Sequence, residues 1–221
     1  MTTDRGPAMQ SDPASTPSGA RELTLGDIAD LHTYERGREE FRRQVTELKR
    51  RRRVALGPLV TVVFENRTTV LFQIQEMVRA ERMMTDEQVQ AELDVYNPLI
   101  PAAGELSLTL FIELRSDAEL RTWLPKLVGI ESALVLRIGR GEPIIVKAAV
   151  DPAHAAQLTR EEVTASVHYV RFVLDAAERQ AFLAGPVSIA VAHPAYNYET
   201  ELSSETTASL LADWEVGPAA G

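Results

Sequence analysis

Arg67 and Glu81 bracket the stretch "RTTVLFQIQEMVRAE", in which Val70, Ile74, Met77 and Val78 recur at helical spacing. On a wheel of about 100° per residue with Val70 at about 0°, Ile74 falls near ~40°, Met77 near ~340°, Val78 near ~80°, Glu81 near ~20° and Arg67 near ~60°. Both charges land on the apolar stripe, about four turns apart, and so cannot pair along one helix. A buried charge without a partner costs about 3–5 kcal/mol, so each would need one from another element. For Glu81 the candidate is Arg171 in "HYVRF", a strand whose alternation puts His168, Val170 and Phe172 on one side and Tyr169 and Arg171 on the other. One reading is a structural ion pair or an exposed helix end. The other is an anion pocket at the helix N-terminus, where Asn66, Arg67 and free backbone N–H groups suit a carboxylate or phosphate. In that pocket Gln73 flanks the stripe as a further ligand contact, and Glu81 or Glu76 would be the acid or base.

Metal chemistry is a third option. Glu65, Glu76, Glu81, His168 and His193 are donors suited to iron, manganese or zinc, with His168 and His193 the weak metal candidates. The spacing argues against it: a carboxylate-bridged di-iron bundle uses Glu-x-x-His, which does not occur, and Asp151 to His154 in "DPAH" contains a helix-breaking proline. We expect no cofactor. Gly-x-Ser-x-Gly is absent too, and "GRGE" lacks the strand-to-helix setting of a phosphate loop. In "HPAYNYETEL", His193, Tyr196 and Tyr198 either line a pocket or form a turn leading into an edge strand.

The chain around these residues has 221 residues, 45% hydrophobic and 25% charged, enough for one domain or two small ones with a real core. A net charge of −9 argues against nucleic-acid partners. The absence of cysteine removes disulfides, thiolate nucleophiles and protein-ligated iron–sulfur clusters. No stretch approaches the ~18 apolar residues of a membrane span. Residues 1–20, rich in Ser and Pro, read as a disordered tail on a cytoplasmic protein, and 215–221 as a flexible end.

Between them, Thr24 and Asp27 have capping-box spacing for a first helix. Tyr34, Phe41, Val45 and Leu48 give a second helix one narrow apolar stripe, and Lys49 to Arg53 form a cationic end favoured by the helix dipole. That end is either solvated or a contact for an anionic partner. A strand follows at about 59–65, and Asn66 and Thr85 cap two more helices. Beyond "NPLIP", the runs "GELSLTLFIEL", "ALVLRI", "PIIVKAAV", "TASVHYVRFVL" and "PVSIAVA" read as strands, the second and third as a hairpin. Ser116 and Asp175 start helices between them, and "SSETTASLLADW" ends the chain as a helix. The expected fold is α+β: a helical N-terminal part on a mixed, mainly antiparallel sheet, one domain over 21–214 with helical (21–100) and strand-rich (101–214) halves.

"FENRTTVLFQIQEMVRAER", "YNPLIPAAGELSLTLFIE" and "HYVRF" resemble an uncharacterised bacterial group, the domain-of-unknown-function family 3501, over about residues 21–214. The resemblance implies no established activity. It does imply a genomic association with rubrerythrin-like iron proteins and iron–sulfur oxidoreductases. The leading expectation is therefore a cytoplasmic accessory protein for an iron or iron–sulfur redox partner, in contact through the helix at 34–53, where residues 35–53 hold nine Lys or Arg against four Glu. The alternative is an enzyme or sensor of a small anionic metabolite using Arg67 and Glu81. Whether the chain is an enzyme, and its oligomeric state, stay open at this point.

Overall fold

The computed structural model describes residues 22–150 and 163–215. The expected tail at 1–20, nearly all of the expected end at 215–221, and Asp151 to His154 lie outside the described residues. The elements run α1 (Leu31–Arg52), β1 (Arg53–Leu56), β2 (Val60–Glu65), α2 (Arg67–Glu81), α3 (Asp86–Tyr96), β3 (Glu105–Ile112), α4 (Asp117–Trp123), β4 (Leu134–Ile138), β5 (Ile144–Lys147), β6 (Val167–Val173), α5 (Ala176–Ala184), β7 (Val187–His193), β8 (Tyr196–Glu201) and α6 (Ser204–Glu215). The fold is α+β, as expected, but the strands divide between two four-stranded antiparallel sheets, β1-β2-β3-β6 and β5-β4-β7-β8.

Alternation decides what each sheet face does. On the first sheet Phe64, Leu108 and Val170 share one row, and Val62, Leu110 and His168 the next. This face packs against Leu134, Leu136, Ile189 and Val191 of the second sheet in one apolar core, to which α5 and α6 add Phe182 and Leu210. A second apolar cluster lies among the helices: Val70, Ile74 and Val78 of α2, Leu93 of α3, Leu23 and Met83. The first sheet's other face carries the rows Glu65/Ser107/Arg171 and Val63/Thr109/Tyr169. A polar layer thus lies between two oily ones.

Local signals account for most of the boundaries. Asn66 caps α2 by accepting from Thr69 N, Thr85 caps α3 and Asp175 caps α5. The Thr24–Asp27 pair forms as expected, Thr24 N donating to Asp27 Oδ2 at 2.8 Å, but it closes only a 3-10 turn at Leu25–Asp27. The cationic run is split, because Arg53 leaves the helix to open β1, a strand that the charge pattern conceals. Arg53 to Leu56 pair antiparallel with Val60 to Val63 around Gly57 at φ 73°, the left-handed region that glycine enters without strain.

Candidate functional site

The sequence-derived site residues scatter along α2. Arg67 stands at its exposed N-terminus with Nη2 at 2.5 Å from Asp27 Oδ1, so the guanidinium already has an anion. Asn66 is engaged on both sides, accepting from Thr69 N at 3.1 Å and donating from Nδ2 to Asp213 Oδ1 at 3.0 Å. Glu81 is the last residue of α2 and exposed, because Arg82 turns left-handed at φ 52° and Met83 folds back into the helical cluster before anything covers the stripe's end. About 14 helical rises, ~21 Å, separate Arg67 from Glu81. The wheel angle was right for Val70, Ile74 and Val78, which are buried, and uninformative for a residue where the helix stops.

Glu76 faces α1. It accepts from Tyr34 Oη at 2.7 Å and from Arg38 Nε and Nη2 at 2.8 and 2.7 Å. The bidentate Arg38, against an opposing burial effect and with help from Tyr34, holds its carboxyl down at about 2, and burial together with Glu76 raises the Tyr34 phenol. This carboxylate clamps two helices. Arg171, expected beside Glu81, instead bonds Glu105 Oε2 at 2.9 Å and the carbonyl of Pro98.

His168 and His193 do not converge either. His168 is buried on the inter-sheet face, Nε2 at 2.9 Å from Thr164 Oγ1 and Nδ1 at 3.7 Å from Glu131 Oε2. His193 places Nε2 at 3.1 Å from Val128 O and accepts from Ala195 N at Nδ1. Among the described residues no group of three His, Asp or Glu could hold a metal. Tyr196 is a structural group: its hydroxyl donates to Leu56 O at 2.6 Å and accepts from Leu59 N and Val60 N at 2.9 and 3.2 Å. Turn and edge strand is thus the outcome for "HPAYNYETEL", with β8 at the sheet's edge.

Gln73 and Arg171 each line one of two neighbouring cavities. The polar face of the first sheet does not meet the helices flush, and two adjoining cavities open between them. The smaller, about 250 Å³, is lined by Lys49, Glu65, Gln73, Tyr96, Thr109 and Tyr169 among others. The larger, about 580 Å³, is lined by Pro98, Leu99, Ser107, Tyr169, Val170 and Arg171 among others. Leu99 and Tyr169 belong to both. Glu65 is only 8% exposed and its Oε1 accepts from Thr109 Oγ1 at 2.7 Å. Burial, and then the neighbouring Tyr96 and Glu65, raise the Tyr169 phenol above its ordinary value, so it stays a neutral hydroxyl.

Sequence reasoning assigned Gln73 to a pocket at Arg67, Arg171 to Glu81, Glu65 to generic metal donors and Lys49 to a cationic contact, and gave no site role to Tyr96, Thr109 or Tyr169; the structure places all seven along these two cavities. Polar residues on one face of a strand, such as Thr61 and Glu65 or Ser107 and Thr109, do not distinguish a solvated face from a covered one. The available signal was that the helices following them, with their own apolar stripes, had to cover something.

The cationic end of α1 is likewise engaged within the chain. Arg50 and Arg51 reach Glu47 and Glu205, Arg53 reaches Glu113, and Arg52, 1% exposed, lies 2.7 Å from Asp213.

A family model described as "Protein of unknown function (DUF3501)" matches residues 22–214. Among solved structures, the crystal structure of a novel protein of unknown function from Burkholderia pseudomallei K96243 is 34% identical and superposes with a TM-score of 0.78, covering 87% of this chain and 99% of that chain. No curated protein matches significantly.

Proposed function

The chain belongs to the DUF3501 family, and from that premise we propose that it is a binding protein for a small molecule held between the first sheet and its helical cover. One observation carries this reading: a polar layer of Glu65, Ser107, Thr109, Tyr169 and Arg171 borders adjoining cavities of about 250 and 580 Å³ between two apolar cores. Ligand sites of about 300–1,000 Å³ typically combine apolar walls with a few convergent polar groups. The anion reading at Arg67 and Glu81 gives way to this one because those residues are about 21 Å apart and Arg67 is paired. Leu99→Trp should fill both cavities. Native mass spectrometry of protein isolated from its own host should show a co-purifying small molecule that Leu99→Trp loses while retaining the wild-type circular dichroism. The reading fails if the wild type carries none and no metabolite extract raises its Tm.

An accessory role beside a rubrerythrin-like or iron–sulfur redox protein in a bacterial cytoplasm is the second reading. What favours it is the outward side of α1, where Glu39, Arg42, Arg43 and Thr46 surround an open hollow. With Arg50 to Arg53 engaged inside the chain, such a contact rests on Arg42 and on Arg43, which is exposed and paired with its helix neighbour Glu40 at 2.6 Å. Replacing both by Gln should abolish co-purification of the redox partner without lowering Tm. Unchanged co-purification removes this surface from consideration.

A further inference from the structure

We propose that the ligand of the smaller cavity is a primary amine, with Glu65 as its counter-ion and its apolar body extending past Tyr169 into the larger cavity. The inference rests on the cavity's being a ligand site.

Glu65 is the last residue of β2, and the sheet alternation turns it toward the helices, away from the inter-sheet core. A carboxylate has about four lone-pair positions to satisfy. Thr109 Oγ1 donates one hydrogen bond to its Oε1, and among the described residues no cation lies within ion-pair distance of either oxygen. Other carboxylates drawn in from solvent have a basic side chain beside them: Glu76 has Arg38, Glu105 has Arg171, Asp213 has Arg52, and the buried Glu131 has His168 at 3.7 Å. Glu65, at 8% exposure, is more buried than the three arginine-paired carboxylates and opens on a cavity instead. Leaving a buried carboxylate unpaired is costly, and a ligand cation removes that cost.

The surroundings select the sign and the class. Arg171, in the same cross-strand row, is committed to Glu105 and the Pro98 carbonyl. Lys49 lines the same cavity but stands beyond ion-pair distance of Glu65. Tyr96 and Tyr169 line the cavity, and a phenol attracts a cation by its ring face and accepts N–H bonds by its oxygen. A metal ion would need further carboxylate or imidazole ligands, and among the described residues no such group exists. Val95, Leu99 and Val170 give the larger cavity walls suited to a hydrocarbon or aromatic body.

The test uses the full chain and three probes of one shape: phenethylamine, phenethyl alcohol and 3-phenylpropanoate, with butylamine and spermidine extending the amine series. Calorimetry and thermal shift at pH 7 should show saturable binding of an amine, no binding of the alcohol or carboxylate, and at least a ~10-fold loss of amine affinity in Glu65→Gln. Lys49→Met should bind the amine more tightly than the wild type, since a competing ammonium is gone from the cavity wall. The preference for amine over alcohol is read on the wild type, so it decides even if Glu65→Gln fails to fold. Preferred binding of the alcohol or carboxylate, equal amine binding by Glu65→Gln, or failure of the whole amine series overturns the inference. Binding of a non-amine probe that Leu99→Trp abolishes would overturn the amine while leaving the cavity reading standing.

Discussion

Glu76 shows how a side chain with the right chemistry for a site can be consumed by structure. Its carboxyl is held at about 2 against an ordinary 4.5, chiefly by Arg38. A depressed folded-state value contributes stability that is present above the ordinary value and lost as pH falls through the folded one. Arg38 and Glu76 are 20% and 26% exposed, so the full linkage figure must be discounted for solvent screening, to about 1 kcal/mol. Glu76→Gln should therefore be about 1 kcal/mol less stable than the wild type at pH 7, with the gap closing between about 4.5 and about 2. Urea denaturation at several pH values measures this; a gap that persists at the acidic end would mean that the contact is not electrostatic. Tyr196 differs in being buried with three backbone partners. Tyr196→Phe leaves those groups of the β1–β2 turn without it, and should cost about 2–3 kcal/mol by chemical denaturation, on the scale of unmet buried polar groups.

At the scale of elements, the end of α2 decides the fate of Glu81. Arg82 is the one non-glycine residue with positive φ among the described residues, and Met83 N closes the helix on Val78 O at 3.0 Å. The left-handed conformation costs a side-chain-bearing residue roughly 1–2 kcal/mol, partly offset by the greater unfolded-state freedom of glycine. Arg82→Gly should thus stabilise the chain by about 0.5–1 kcal/mol, seen as a higher Tm. A lower Tm would mean that the Arg82 side chain makes a contribution the backbone does not reveal. The β1–β2 turn is the opposite case: a Cβ on Gly57 would sit 2.5 Å from Tyr198 Cγ and 2.7 Å from the Tyr196 hydroxyl, so two sheets meet where only glycine fits.

For the whole molecule, the C-terminal helix is tied to the N-terminal one through a buried charge. Arg52 reaches Asp213 at 2.7 Å and donates to Ser209 Oγ and O at 3.0 and 2.6 Å, while Asp213 also accepts from Asn66, the cap of α2. Asp213→Ala leaves that guanidinium without its anion and should cost about 3 kcal/mol. If the two ends of the chain cooperate through this contact, the variant unfolds in one transition with a lower midpoint; two separate transitions would show that they do not.

The sequence alone determined what depends on neighbours within a turn or a hairpin. Asn66, Thr85, Ser116 and Asp175 cap their helices, β4 and β5 form the expected hairpin, and His168 and Arg171 fall on opposite faces of β6 because strand alternation is local geometry. It also carried the family resemblance over nearly the described length. Tertiary structure decided the rest. Whether Glu65, Ser107 and Thr109 face water or a covered cavity depends on where three helices lie, and no periodicity encodes that. Whether Arg67, Glu76 or Arg171 is free for chemistry depends on Asp27, Tyr34 and Glu105, residues 40 to 66 positions away in the chain, whose approach only the folded state creates.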